Sequence, residues 1–223
     1  MSKLSIIVPV FNEAGTIQEV LERLLALALD KEIIVVDDGS TDGTEEKINY
    51  FSSRIKIVKH GANQGKGAAM RTGVSAAQGD YIVFCDADLE YDANQISLLF
   101  DHILRHNAAV VYGSRFIDYQ PQKNRIHYLG NWFLTWLTNR LFGAKLTDLW
   151  TCYKLFPREA SGFFPAGKFE SELSFSARLI RNGFEIIEVE ISHNPRSFSE
   201  GKKIGYMDGI KGILTVFKEY FRN

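Results

Sequence analysis

Two aspartates two positions apart, Asp86 and Asp88, follow a short apolar run, Tyr81–Cys85. In an extended chain, residues i and i+2 face the same side, so both carboxylates can point at one ligand. Hard oxygen donors of this kind suit Mg²⁺ or Mn²⁺ shared with phosphate groups. A solvated acidic turn would read the same in isolation. A second acidic pair, Asp37-Asp38-Gly39-Ser40, also ends an apolar run. Carboxylates there can accept hydrogen bonds from a ribose or a base edge, or simply cap the next helix. Asn63-Gln64-Gly65-Lys66-Gly67 opens a helical stretch. Its glycines let backbone approach a ligand, and a helix N-terminus carrying Lys66 favours a diphosphate, although a plain helix start has the same composition. Arg115, Lys168, Arg196, Lys202 and Lys203 are expected on loops. Such cations suit phosphate oxygens, or are ordinary solvated surface.

Several rival chemistries lack their residues. A Walker A loop needs Gly at position 60 and Ser or Thr at 67, where the chain has His60 and Gly67. A dinucleotide fingerprint needs Gly at 70 and a place after the first strand. Met70 and the third strand fail both conditions. The histidines form no ligand set; His102 and His106 lie i, i+4 on an expected helix but lack the adjacent Glu of a zinc motif. No G-x-S-x-G elbow supports a hydrolase. Cys85 and Cys152 share no C-x-x-C spacing and read as buried, reduced thiols.

The elements that must position these residues alternate between two periods. Ser5–Val10, Glu32–Val36, Ile55–Lys59, Tyr81–Cys85 and Ala109–Tyr112 read as buried strands. Helical patterns stand between them, the first opened by an expected capping box, Thr16-x-x-Glu19. Alternation of this kind predicts parallel βαβ units and a doubly wound α/β sheet with helices on both faces, whose ligands bind beyond the carboxyl ends of the strands. Asn124–Phe142 is rich in aromatics and Leu but reads as interrupted by Asn131, Asn139 and Arg140. A helix near Ser171–Arg181, a strand near Glu185–Ile191, a polar loop at Ser192–Lys203 and an amphipathic tail, Tyr206–Phe221, follow.

At 223 residues, 45% hydrophobic and 24% charged, the chain fits one domain. A formal net charge of −1 gives no global reason to expect nucleic acid. No apolar run reaches the roughly 18–20 residues of a membrane span, and no signal peptide is read, so the expectation is a soluble or peripheral protein.

Four ordered matches, Val8-Pro9-Val10-Phe11-Asn12-Glu13, Asp37–Asp42, Asn63–Gly67 and Asp86-Ala87-Asp88, together resemble the family 2 glycosyltransferases with the GT-A fold. Gly113-Ser114-Arg115-Phe116 and Leu146–Tyr153 narrow the resemblance to the dolichyl-phosphate mannose synthase and polyprenyl-phosphate glycosyltransferase branch. Arg196 and Lys202 match that branch's Arg and Lys at a separation of six. The chain departs from the branch at Thr151 and Cys152 (for Ser and Gly), at Ser199 and Gly201 (for Gly and Ser) and at Glu90, where Gln is common.

The resemblance implies one domain over 1–223, with a nucleotide-sugar-binding half at 1–115 and an acceptor-binding half at 116–223. Pro9, Phe11, Glu13 and Asp38 would hold the nucleoside, with Lys66 and Ala87 also at the donor. Asp86 and Asp88, with Glu90 as a third candidate ligand, would hold Mg²⁺ or Mn²⁺. Arg115, Lys168, Arg196 and Lys202 would gather donor and acceptor phosphates, and Asp88, Arg115, Arg196 and Lys202 would serve catalysis. The implied reaction moves a sugar from GDP-mannose or a UDP-hexose to a polyprenyl or dolichyl phosphate, with inversion. A hydroxyl acceptor in glycan or polysaccharide assembly is the alternative and would need a general base, for which Asp148, Glu170 and Glu172 are candidates. A nucleotidyltransferase lacks its N-terminal Gly-rich loop here, and both Asp86 and Asp88 argue against a non-catalytic nucleotide-binding module. A lipid acceptor implies attachment to a membrane surface, on the cytoplasmic face, through Trp132, Phe133, Trp136, Leu137 and Phe142.

Overall fold

The expected strands pair in one sheet in the computed structural model, which describes residues 2–106, 110–117, 125–165, 170–195 and 206–222. Among these residues, seven strands take the order β3-β2-β1-β4-β6-β5-β7. They are β1 (Leu4–Val10), β2 (Lys31–Asp37), β3 (Lys56–Lys59), β4 (Tyr81–Phe84), β5 (Val110–Ser114), β6 (Lys154–Pro157) and β7 (Ile186–Glu190). The helices are α1 (Ile17–Ala26), α2 (Thr44–Asn49), α3 (Lys66–Ala76), α4 (Asn94–His106), α5 (Arg125–Phe142), α6 (Ser171–Arg181) and α7 (Tyr206–Tyr220).

Alternation along the strands divides the core. In β1, Leu4, Ile6, Val8 and Val10 pack with Leu21 and Leu24 of α1 and Ile96 and Leu99 of α4 on one face. Ile7 points the other way, to Ala69 and Met70 of α3 and, through Phe84 and Phe156, to Phe175 of α6. Two-sided burial is why these strands read as unbroken apolar runs. A third cluster joins α5, α6 and α7 through Leu134, Leu137, Leu149, Leu173 and Val216.

β1, β2, β3 and β4 are parallel, with β2 and β4 on either side of β1. The chain therefore reverses its direction of winding between β1 and β4, and a crevice opens at the carboxyl ends there.

Three local expectations are corrected. β6 was not anticipated: it runs antiparallel between β4 and β5, with Lys154 fully buried in it. α5 is a single 18-residue helix, unbroken at Asn131, Asn139 and Arg140. Asn131, Thr135 and Asn139, at i, i+4 and i+8, grip the segment at 146–150. Asn139 donates to the Leu146 carbonyl and accepts from its N–H, Thr135 accepts from Leu149 N–H, and Asn131 accepts from Trp150 N–H. The Thr16 capping box does not form; that hydroxyl donates instead to the Ala87 carbonyl, 2.6 Å away.

Candidate active site

The crevice is walled first by the loops after β1 and β2. Asn12 follows β1 in a left-handed conformation (φ 53°), which asparagine tolerates. Its N–H donates to Ser40 Oγ at 3.0 Å and its Oδ1 accepts from Thr41 N–H at 2.8 Å, tying the two loops together. Gly39 has φ +78°, and a Cβ there would lie 2.9 Å from the Ala62 carbonyl carbon. Only glycine lets the β2 loop lie this close to the segment that leads into α3.

Asp38 faces the crevice, but both carboxylate oxygens serve that segment. Oδ1 accepts from Gln64 N–H at 2.9 Å and Oδ2 from Gly65 N–H at 2.8 Å. His60 Nδ1 lies 2.6 Å from Oδ1, and its Nε2 lies 2.9 Å from Thr72 Oγ1. Asp38, expected at the nucleoside, lines the cavity and also shapes the loop that opens α3.

The opposite wall follows β4. Lys66, the first residue of α3, sets its ammonium 2.8 Å from Asp86 Oδ1 and 3.1 Å from Oδ2. The same nitrogen lies 3.0 Å from Oε1 of Glu172, whose Oε2 is 3.3 Å from Lys154 Nζ. Burial opposes the charge on Lys66, yet the carboxylates of Asp86 and Glu172 outweigh it and hold the lysine well above its ordinary pKa. Lys154 closes the chain of charges by donating to the Thr151 carbonyl and lying over the Tyr112 ring at 5.2 Å.

Past Asp88 the backbone turns through Leu89, at φ +61°, a conformation costly for a branched side chain. The turn sends Glu90 to His193, with Oε2 3.0 Å from Nε2, while the Glu90 carbonyl accepts from Asn194 N–H. Among the described residues no group of three metal-binding side chains gathers, and Glu90, the third expected ligand, is engaged with His193 while lining the same cavity as Asp86 and Asp88.

Arg115 forms a further wall, held as a fork on Asp148. Its Nε is 2.6 Å from Oδ2 and its Nη2 2.8 Å from Oδ1 and 3.1 Å from the Trp150 carbonyl. Asp148 is fully buried and also accepts from Arg115 N–H and Asn131 Nδ2. These walls enclose a cavity of about 310 Å³. Pro9, Phe11, Glu13, Asp38, Lys66, Asp86, Ala87, Asp88, Glu90 and Arg115 all line it. Lys168, Arg196 and Lys202 lie outside the described residues.

The Glycosyl transferase family 2 model matches residues 5–162. The chain belongs to glycosyl transferase family 2.

Within the family, the chain is 30% identical over 167 residues to a dodecaprenyl-phosphate galacturonate synthase of Rhizobium johnstonii, covering 69% of this chain and 47% of that protein. It is 34% identical over 119 residues to the dolichol-phosphate mannosyltransferase of Pyrococcus furiosus, covering 52% and 34%. The chain thus spans about half or less of the length of these relatives. Its fold is similar to that of glucosyl-3-phosphoglycerate synthase from Mycobacterium tuberculosis, crystallised in complex with Mn²⁺, uridine diphosphate and phosphoglyceric acid. The TM-score is 0.76 at 21% identity, over 100% of this chain and 80% of that one. The fold is GT-A.

The donor set of this family 2 member fits a small divalent cation. Asp86 and Asp88 offer oxygen ligands, and the ammonium of Lys66 already marks the position at Asp86 as one that holds a cation. Two carboxylates without a third match the way Mg²⁺ is shared with phosphates rather than caged by protein. Tyr91 and Trp150 line the cavity without having been singled out. Trp150 falls inside the Leu146–Tyr153 segment but carried no chemical signal of its own. Cys152 also lines the cavity as a neutral thiol, its pKa raised chiefly by burial.

Proposed function

We propose that this chain transfers a sugar from a nucleoside-diphosphate donor to a polyprenyl-type lipid phosphate, with inversion at the sugar. One observation carries the reading: Pro9, Phe11, Glu13, Asp38, Lys66, Asp86 and Asp88, from four separate segments of the chain, converge on a single cavity. The β1 and β2 loops would hold the nucleoside, and Lys66 at the start of α3 would meet the diphosphate. Asp86 and Asp88 would hold Mg²⁺ or Mn²⁺, which supplies charge neutralisation to the leaving diphosphate. Arg115 would present a fixed cation to the transferring group, and Lys168, Arg196 and Lys202 are expected to gather the acceptor phosphate.

A phosphate acceptor is favoured by what the candidate bases do. Asp148 accepts four hydrogen bonds and Glu172 is bound between two lysines, while Glu170 is not among the residues lining the cavity. A phosphate needs no proton removed, whereas a hydroxyl does. The names of the Rhizobium and Pyrococcus relatives point to the same acceptor class.

The lipid would be reached from the membrane surface, on the cytoplasmic face. Trp132, Phe133 and Trp136 of α5 are exposed, as are Ile210, Leu214 and Phe217 of α7, with Lys211 and Lys218 beside them. Tryptophan with flanking cations suits the headgroup level. Leu137 and Phe142 leave the expected set, because Leu137 is buried and Phe142 packs on the cluster between α5, α6 and α7. No described helix is long and apolar enough to cross a membrane.

The test is a transfer assay with Mn²⁺, a panel of UDP- and GDP-sugars, and two acceptors, a polyprenyl phosphate and an alkyl glycoside. Product on the phosphate is expected. Product on the glycoside alone would overturn the acceptor assignment, and no product from any donor would overturn the reaction class.

A further inference from the structure

Lys66 sits where the chemistry proposed above needs a metal. Its Nζ lies 2.8 and 3.1 Å from the two oxygens of Asp86, so neither oxygen can bind a divalent cation without bringing that cation against an ammonium. An ion about 2.1 Å from either oxygen would share that carboxylate with the ammonium, so the two positive charges would repel at close range. The lysine is also tethered from behind. Glu172, 2% exposed, holds it at 3.0 Å and is itself held by Lys154. A Lys66 released from Asp86 would therefore swing about Glu172 rather than leave the site. The strongest lure for it would be a diphosphate at the N-terminus of α3, whose first residue it is.

We propose that Lys66 is an internal competitor of the divalent cation: its ammonium holds Asp86 until a nucleoside diphosphate draws it away, so that metal and nucleotide bind as a coupled pair. This rests on the donor site assigned under the proposed function. The carboxylates of Asp86 and Glu172 face two lysines, Lys66 and Lys154, and Asp88 lines the same cavity. A divalent cation entering alone must overcome the nearer ammonium. A diphosphate entering with it gives that ammonium a new partner. By linkage, each ligand then tightens the other by the same factor. Direct metal–phosphate contact adds coupling of its own; the share due to Lys66 is what a substitution removes.

The experiment measures Mn²⁺ binding to the full chain by isothermal titration calorimetry and Mn²⁺ electron paramagnetic resonance, with and without UDP or GDP. Wild type, Lys66→Met and Lys66→Arg are compared, with circular dichroism and Tm as checks on folding. Without nucleotide, Lys66→Met should bind Mn²⁺ about tenfold to a hundredfold tighter than wild type, the worth of one charge-assisted contact. Lys66→Arg, which keeps the cation, should not gain. Nucleotide without metal should bind Lys66→Met more weakly, and the factor by which nucleotide improves Mn²⁺ affinity should shrink. Folded Lys66→Met that binds Mn²⁺ alone no better than wild type overturns the proposal. If that variant does not fold, Lys66→Gln, which keeps a polar end group without the charge, is read by the same criterion. Wild type that binds Mn²⁺ and nucleotide together, with no gain in the variants, sinks the Lys66 inference and leaves the function standing. Wild type that binds neither nucleotide with Mn²⁺ sinks the reading beneath it.

Discussion

Asp88 and Asp148 are both carboxylates near the cavity, and their surroundings give them opposite uses. Asp88 lines the cavity just before the turn at Leu89, where its charge can balance a metal–diphosphate pair. Asp88→Asn keeps the shape and loses the charge, so transfer should fall to near background while Tm stays close to wild type; full turnover of that variant, or of wild type in excess chelator, would contradict the assignment. Asp148 is out of solvent and fork-bonded to Arg115. Removing its charge leaves the Arg115 guanidinium, 17% exposed at the cavity wall, without its ion-pair partner, at a cost of about 2–4 kcal/mol, somewhat below that of a fully buried pair. Urea melts of Asp148→Asn should show that loss, and an unchanged midpoint with lost activity would instead make Asp148 a catalytic base. This contrast was only half legible in the sequence. Asp86 and Asp88 announce themselves through their spacing at a strand end. The partners of Asp38 and Asp148 do not. Backbone N–H groups, which take up much of Asp38, have no residue letter, and Asn131 lies 17 positions from Asp148.

Among the elements, those with a consistent period were legible, while β6 and α5 were misread because a polar residue stood inside. Lys154 in β6 is tolerated because Glu172, on a helix 18 positions away, pairs with it and the Thr151 carbonyl accepts from it. The asparagines of α5 look like breaks until the segment at 146–150 is laid beside them. Buried polar groups cost little when hydrogen-bonded, and sequence alone cannot say that they are. Glu32 on β2 is a similar device with a measurable signature. It accepts from Ser5 Oγ at 2.6 Å and from the N–H groups of Gln78 and Gly79, joining β1, β2 and the turn before β4. Burial would raise its pKa, but the hydrogen bonds from Ser5 and Gln78, with Lys3 nearby, outweigh that and lower it below 4.5. A depressed carboxylate gives stability that is present above its unfolded pKa and lost as pH falls through the folded value. Glu32→Gln should therefore cost about 1–2 kcal/mol at neutral pH, and its penalty should shrink as the pH falls below about 4.5. A penalty independent of pH in denaturant titrations would rule out this charge-based account.

At the scale of the molecule, the cavity and the exposed tryptophans must serve one reaction if the acceptor is a lipid. Replacing Trp132 and Trp136 together with Ala removes much of the apolar surface exposed by α5. Flotation with anionic liposomes should drop several-fold while Tm and nucleotide binding hold, because neither side chain belongs to a buried cluster or lines the cavity. Wild type that fails to float would mean this face meets protein instead.

The antiparallel position of β6 also has a consequence for biosynthesis. β1 to β4 can zip together as they emerge from the ribosome, since β2, β3 and β4 each find a partner already made. β5 cannot: both its neighbours, β6 and β7, are translated after it. A nascent chain halted before Lys154 therefore carries two open edges, the far side of β4 and the whole of β5, whose residues are all buried in the finished protein. Unpaired apolar strands of that kind recruit other chains. The interval between β5 and β6, through which the tryptophan-bearing α5 is also made, is where translational pausing or chaperone capture would decide the yield of this protein.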